Sequence, residues 1–247
     1  MVGGMLDAAR GCMKEEMRMD LISNNLANSN VVGFKKDVIS FQDLLSRGSG
    51  AEGSVRGGKM ENLDPALIQI KTDVSQGDVR FTGGTFDFAI YGEGYFKVDT
   101  PDGVLYTRKG NFTLDNKGYL ITQEGCRVLG NAGPIVISGT DIQVDGEGII
   151  MADGLEAGRI GVVRFEGKDA LVKAGLGCYR NVSDEPELPP SPDTRVAQGY
   201  VELSNVNVAE EMVAMIHSMR AFESYQKAIQ ILDDVNNKAI NEVSRLK

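Results

Sequence analysis

The sequence predicts an α+β protein in which long helices at the N- and C-termini pair as a coiled-coil-like domain around a central all-β domain of short strands. Two patterns carry this prediction. Apolar residues recur at spacings of three, four and seven over residues 1–28 and again over 208–246, the signature of amphipathic helices. Between them, short β-rich runs are punctuated by Gly103, Gly110, Gly118 and Gly125, the rhythm of strands joined by tight turns.

The first helix is carried by the row Met5, Ala8, Cys12, Met19, Ile22 and Leu26, interrupted by Glu15. A second row, Leu6, Ala9, Met13, Met17 and Leu21, lies beside it and makes the apolar face wide. Asn24, Asn25, Asn28, Asn30 and then Gly33 supply a helix stop. This end of the helical domain is therefore set at 1–33, a rod of roughly 40 Å at 1.5 Å per residue.

Residues 34–84 read as a linker, and its 46–58 stretch (SRGSGAEGSVRGG) holds five glycines and three serines. The β domain is set at 85–193. Its runs begin with Phe86–Ile90, Tyr95–Val98, Val104–Thr107, Asn111–Leu114 and Tyr119–Thr122, and continue with Ile135–Ile137, Ile149–Met151 and Ile160–Phe165. Pro101-Asp-Gly103 and Asp115-Asn-Lys-Gly118 are turn sequences. The segment 184–193 holds four of the seven prolines and suits a stiff extended connection. Residues 194–205 then read as a return connection.

The second helical segment, 206–247, carries the stripe Val208, Met212, Met215, Met219, Phe222, Ile229 and Leu232, extended by Ala239, Val243 and Leu246. Asn207 followed three residues later by Glu210 is a capping-box signal. The spacing close to seven resembles a coiled-coil seam, over roughly 60 Å. Eight of the ten methionines lie in the two helical segments, where an adaptable side chain suits irregular packing. Copies packed side by side would bury the second apolar row, so the ends are expected to order fully only in an assembly.

Composition narrows the function. The chain has 247 residues and a formal net charge of −9, against general nucleic-acid binding. The two helical segments each sum to −1, which leaves −7 for the middle. Three dispersed cysteines (Cys12, Cys126, Cys178) and one histidine (His217) support neither a disulfide framework nor a histidine or cysteine metal centre. No apolar run reaches 18 residues, and the charges among the first twenty leave no room for a signal-peptide core. Phosphate-loop, serine-elbow and zinc-protease motifs are missing, and Gly92-Glu-Gly94 lies between strand patterns as a turn. A Cys12–His217 dyad is conceivable but lacks a third, orienting group. No catalytic, metal-ligating or cofactor-binding residue is assigned, and neither cofactor, nucleic acid, small-molecule substrate nor membrane insertion is expected. Two other classes fit parts of the pattern: a secreted coiled-coil adhesin with a β head, and a hydrolase using paired carboxylates of the acidic middle.

Three collinear stretches carry a family resemblance. Ser23-Asn-Asn-Leu-Ala-Asn-Ser-Asn-Val-Val-Gly-Phe-Lys-Lys36 resembles the N-terminal signature of bacterial flagellar rod, hook and hook-associated proteins. Glu202-Leu-Ser-Asn-Val-Asn207, with Glu211–Ile216 and Arg220–Glu223, resembles the C-terminal one. Phe86–Ile90, Gly92–Phe96, Tyr106–Phe112 and Asp115–Gly118 are similar to the central part of the rod proteins. The size resembles that of rod subunits. Gly130–Ile135 and Ala221–Lys227 look most like the proximal-rod type, with the distal-rod type or a hook-type axial subunit as alternatives.

The resemblance implies a non-enzymatic structural subunit of the basal-body rod, exported by the flagellar type III apparatus without signal cleavage. It would assemble with itself and other rod subunits into a helical tube that transmits torque through the periplasm. In that assembly Met5, Cys12, Met19, Ile22, Leu26, Val208, Met212, Met215, Met219, Phe222, Ile229 and Leu232 would pack the inner tube. Asn25, Asn28, Asn30, Gly33 and Phe34, with Ser204, Asn205 and Asn207, would form the turn and cap of the two helices.

Overall fold

A computed structural model describes residues 2–40, 69–167, 170–183 and 185–245. The glycine-rich stretch 46–58 lies outside the described residues. The chain divides into two units. One comprises Met1–Ala27, Asp37–Lys71 and Asn207–Lys247; the other comprises Asn28–Lys36 and Thr72–Val206.

The first unit holds two helices, α1 (Val2–Ala27) and α2 (Val208–Arg245), and the strand pair β1 (Asp37–Ser40) and β2 (Gln69–Thr72). The helices pack antiparallel. A Cβ added at Gly4 would lie 3.7 Å from Leu232, and one added at Gly11 would lie 2.6 Å from the Tyr225 ring. Farther along, Leu21, Ile22 and Asn25 share a cavity with Glu211 and Ala214. Residues rising along one helix thus meet residues falling along the other.

The second unit is almost entirely antiparallel strand. Its elements are β3 (Val79–Phe81), β4 (Phe88–Tyr91), β5 (Tyr95–Thr100), β6 (Gly103–Thr107), β7 (Thr113–Leu114) and β8 (Leu120–Ile121). They continue with β9 (Arg127–Gly130), β10 (Gly133–Pro134), β11 (Ile142–Val144), β12 (Ile149–Ala152), β13 (Leu155–Arg159) and β14 (Val162–Val163). The last four are β15 (Leu171–Gly175), β16 (Cys178–Asn181), β17 (Arg195–Gln198) and β18 (Tyr200–Glu202). The main sheet runs β15-β16-β6-β5-β9-β8-β7, with β10 paired to β9 and β14 to β5. The strands β11-β12-β13 form a second sheet, and β17-β4 and β18-β3 form two further pairs.

Alternation builds the core. Along β5, Tyr95 is buried and Asp99 exposed on one face, while Phe96 and Val98 are fully buried on the other, the period of two expected of a strand. Phe96 and Val98 join Phe88, Phe112, Leu120, Val128 and Ile150 in the main cluster, where Phe96 meets Phe112 edge to face at 5.3 Å. A smaller cluster of Tyr95, Tyr106, Leu171 and Tyr179 takes in Phe165.

The predicted turns have physical causes in place. Thr100 pairs with Gly103, whose φ of 108° serves the tight β5–β6 hairpin. Asp115 accepts bonds from the amides of Lys117 and Tyr119 at 2.8 Å, which folds 115–118 back on itself.

Several strands fall where periodicity shows no run. The 194–205 stretch, expected as a return connection, contains β17 and β18. These pair with β4 and β3, strands roughly a hundred residues earlier, so the pairing that makes them strands is invisible locally. The 34–84 stretch, expected as linker, likewise contributes β1, β2 and β3. Conversely, Ile135–Ile137 is buried at Ile135 and Ile137 but forms only a single bridge, Tyr119 to Val136.

Two partly exposed ion pairs contribute to the acid response of this unit. Burial alone would raise the Glu187 carboxyl, but bonds from Lys97 and from the Tyr106 hydroxyl, each 2.7 Å, outweigh it and hold it below its usual range. Glu124, bonded by Lys109 at 2.6 Å against the same opposing burial, is also held low. In the folded chain both carboxyls release protons more readily than in the unfolded one. The unfolded state therefore binds more protons on acidification, and stability is lost as pH falls below the ordinary glutamate value of 4.5. Glu187→Gln is expected to flatten that decline in urea unfolding, and an unchanged pH profile would refute its assignment to this pair.

Candidate functional site

Two sets of residues are built for more than packing, one in each unit. In the first unit the helix pair presents two kinds of surface. Ala8 and Ile22 are buried, and Met5, Cys12, Met19, Leu26, Met215, Phe222, Ile229 and Leu232 are half-buried. Val208, Met212 and Met219 stand out in the solvent with Val213 and Ile216. The α2 stripe is therefore two rows with different surroundings: Met215, Phe222 and Ile229, seven residues apart, are half-buried, while Met212 and Met219 in the neighbouring row face solvent. On α1, Leu6 and Met13 are about half exposed, which leaves part of the second row open as well.

Glu15 breaks the row in sequence and is 7% exposed in the structure, and its Oε2 has no hydrogen-bond partner. The dyad of Cys12 and His217 is not assembled. Gly11 lies against Tyr225, eight residues beyond His217, or roughly 12 Å along α2. His217 is exposed, and burial with the nearby Glu16 charge pushes the Cys12 thiol up, away from the reactive thiolate.

At the helix ends, Asn25 and Asn207 are held by their side chains. Asn25 is 1% exposed and pairs with the backbone of Asp37 in both directions at 2.9 Å. The Asn28 carbonyl accepts from the Val31 amide at 3.1 Å, while Asn30 is exposed. Asn207 Oδ1 accepts from the amides of Ala209 and Glu210 at 3.1 and 3.4 Å, satisfying free donors of the first turn of α2.

In the second unit, Gly33 adopts a φ of 67° and donates to the Glu202 carbonyl at 2.7 Å. Phe34 is buried and carries Lys173 over its ring at 4.2 Å. Asn205 Oδ1 accepts from the Lys36 amide at 2.8 Å, and its Nδ2 donates to the Asp73 carbonyl at 2.9 Å. Ser204 Oγ accepts from Val206 at 3.2 Å. The stretch after α1 and the stretch before α2 are thus sewn together.

Between those stretches lies a charge cluster that sequence reasoning did not single out. Lys35 and Glu202 are completely buried and ion-paired, and Arg108 is 4% exposed. Arg108 Nη1 donates to Glu202 Oε2 at 3.1 Å, and its Nη2 donates to the Gly92 carbonyl at 2.8 Å. The other Glu202 oxygen also accepts from the Gly77 amide at 2.9 Å. Burial pulls the Lys35 ammonium below its ordinary value, against the opposing pull of Glu202. The available signal was a charged residue inside each motif, Lys35 and Glu202, with partners 167 positions apart.

One unit thus presents a helix pair with open apolar surface, and the other, strand-rich unit holds a buried ionic clasp. Among the described residues, no group of three or more His, Cys, Asp or Glu could hold a metal ion. Three family descriptions match in chain order: "Flagella basal body rod protein" over residues 5–35, "Flagellar hook protein FlgE/F/G D1 domain" over 89–152, and "Flagellar basal body rod FlgEFG protein C-terminal" over 197–242. The chain is 36% identical to the flagellar basal-body rod protein FlgG of Bacillus subtilis, over 98% of this chain and 99% of that protein. It is 32% identical to the rod protein FlgF of Caulobacter vibrioides over 92% of each, and 33% identical to FlgG of Borreliella burgdorferi over 98% of each. The chain belongs to the flagellar basal-body rod protein family, as a structural protein of the FlgF or FlgG type.

Proposed function

We propose that this chain is an axial subunit that assembles with copies of itself and with other rod subunits into a helical tube carrying motor torque through the periplasm. The observation that carries the reading is the open apolar surface of a helix pair in a chain whose ends and centre match rod proteins in order. A subunit meeting its neighbours head to tail through surfaces that do not close on themselves generates a helix rather than a ring.

In that assembly the inner tube is packed by Met5, Cys12, Met19, Ile22 and Leu26 of α1 and by Val208, Met212, Met215, Met219, Phe222, Ile229 and Leu232 of α2, in coiled-coil fashion. The asparagine and glycine residues at the helix ends set where each helix enters and leaves. The subunit reaches its place through the flagellar type III apparatus without cleavage of a signal peptide. It occupies the proximal rod, and Gly130–Ile135 and Ala221–Lys227 support that placement. The distal rod is the second reading, favoured by the relatives of FlgG type.

An in-frame deletion in the native bacterium, followed by electron microscopy of isolated basal bodies, tests both. Loss of motility with a rod that stops at its base supports the proximal placement, and a rod that stops near its outer end supports the distal one. Intact flagella would overturn the function itself. Met219→Asp places a charge on the open surface at a position that is 49% exposed, so the isolated chain keeps its stability. Assembly is expected to stop. Normal rods with this variant would sink the inner-tube assignment.

A further inference from the structure

Two parts of the strand-rich unit carry opposite charge and bare apolar surface. The hairpin of β15 and β16 is one margin of the main sheet. Residues 170–183, which contain it, hold two cations, Lys173 and Arg180, and no acid. Lys173 lies over the Phe34 ring with its Nζ buried. Arg180 is therefore the cation that meets solvent, and it has no ion pair among the described residues. Val172 lies directly opposite Arg180 across the hairpin, and Val182 follows Arg180 two residues on along the same face. Both valines are about half exposed. The three make a small apolar face around one guanidinium.

The stretch 140–159, which contains the sheet β11-β12-β13, is the reverse. It holds five exposed acids, Asp141, Asp145, Glu147, Asp153 and Glu156, against one base. Leu155 is 76% exposed, more than any other large apolar side chain among the described residues. It stands at the tip of the β12–β13 hairpin, where Asp153 and Gly154 turn the chain with φ of 49° and 80°. The Asp153 carboxylate accepts from the Thr140 and Asp141 amides at 3.1 and 2.9 Å, which pins the turn. Glu156 follows Leu155 directly. A leucine held out on a fixed turn among acids is a preorganised knob.

We propose that these are the two halves of a contact between the strand-rich units of two copies of this chain: the Leu155 tip of one copy seats against Val172 and Val182 of the next, and Glu156 meets Arg180. Charge complementarity selects the partner, since one chain carries both the basic face and the acidic tip, on different sheets. The halves are different surfaces, so the contact runs head to tail. The free edge of β15 is closed to an added strand by the bulge after Lys173 and by the inward lysine itself, so a tip docks here and not a strand. The contact rests on the assembly reading above but lies in a different unit from the helices that carry that reading.

Sedimentation equilibrium of the full chain and its charge-reversal variants tests this. Arg180→Glu and Glu156→Arg are each expected to weaken self-association about tenfold or more, because a reversal sets like charges against each other. An equimolar mixture of the two variants is expected to restore it, since each then offers the half that the other needs. Leu155→Ser is expected to weaken association with no change of charge. All three side chains are exposed, so the variants fold. Lys117→Glu, in the β7–β8 turn at the opposite end of the main sheet, is the control and should leave association unchanged.

The proposal is overturned by a wild-type chain that does not self-associate, by reversals that associate as before, by an equal loss in Lys117→Glu, or by a mixture no better than its components. The two readings fail separately. Intact flagella in the deletion strain, with association restored in the mixture, would remove the rod function and leave the contact. A truncated rod, with no restoration in the mixture, would remove the contact and leave the rod function.

Discussion

Glu202→Gln is expected to destabilise the strand-rich unit by about 3–5 kcal/mol, the usual cost of breaking a buried ion pair by removing one partner. The change is nearly isosteric and retains an oxygen for the Gly77 amide, so packing loss is not the cause. What is lost is the only anion ion-paired, among the described residues, with two buried cations, Lys35 and Arg108. The pH dependence gives the assignment its signature. Burial already lowers Lys35 from its ordinary value of 10.5, and without Glu202 it falls further. Between the folded and unfolded values the unfolded lysine holds a proton that the folded one has released. Stability therefore rises with pH across that window. The deficit of Glu202→Gln should be largest near neutrality and shrink as pH approaches 10.5. Lys35→Met in the same background should recover part of the loss, because it removes one stranded charge. Urea unfolding of the two single variants and the double variant checks this, and strictly additive effects would show that Lys35 and Glu202 are not coupled.

The clasp also explains how far the sequence could be read. The helices were legible because their period is local: each side chain in a row is answered three or four residues on, as from Met5 to Ala8 and Met19 to Ile22. The turns at Gly103 and Asp115 were legible for the same reason, since the residue that makes the turn lies inside it. Strands β17 and β18 were not, because Val196 and Val201 are paired with Ile90 and Arg80, and nothing near them in sequence announces the partner. Lys35 and Glu202 stood inside quoted motifs, yet a charge beside a strand reads as solvated until its burial is seen. The α2 stripe was half legible. Its heptad spacing marks the apolar residues correctly but not their common side, since Met212 is 55% exposed and Phe222 is partly covered.

Gly110→Ala is expected to cost more than about 3 kcal/mol, at the upper end of what overpacking does, although the glycine needs no unusual backbone angle. A methyl group there would sit 1.6 Å from the carbonyl oxygen of Phe88, an atom that cannot rotate away. Phe88 is fully buried, and its amide donates to the Gly110 carbonyl at 2.9 Å. Relieving the clash therefore breaks a hydrogen bond and shifts a residue at the centre of the main cluster. At roughly 2–4 °C per kcal/mol for a chain of this size, the melting temperature should fall by about 6–12 °C or more. Gly33→Ala combines both penalties, since its φ of 67° disfavours a side chain and the added carbon would meet the Arg108 carbonyl carbon at 2.5 Å. Gly146→Ala is the control, for its added carbon meets nothing within 4 Å. A loss at Gly110 no greater than at Gly146 would mean that the approach of the two backbones at Phe88 is not a fixed feature of the fold. The register of Asp87 with Asn111, which sets Phe112 beside Phe88 and Phe96, depends on that approach.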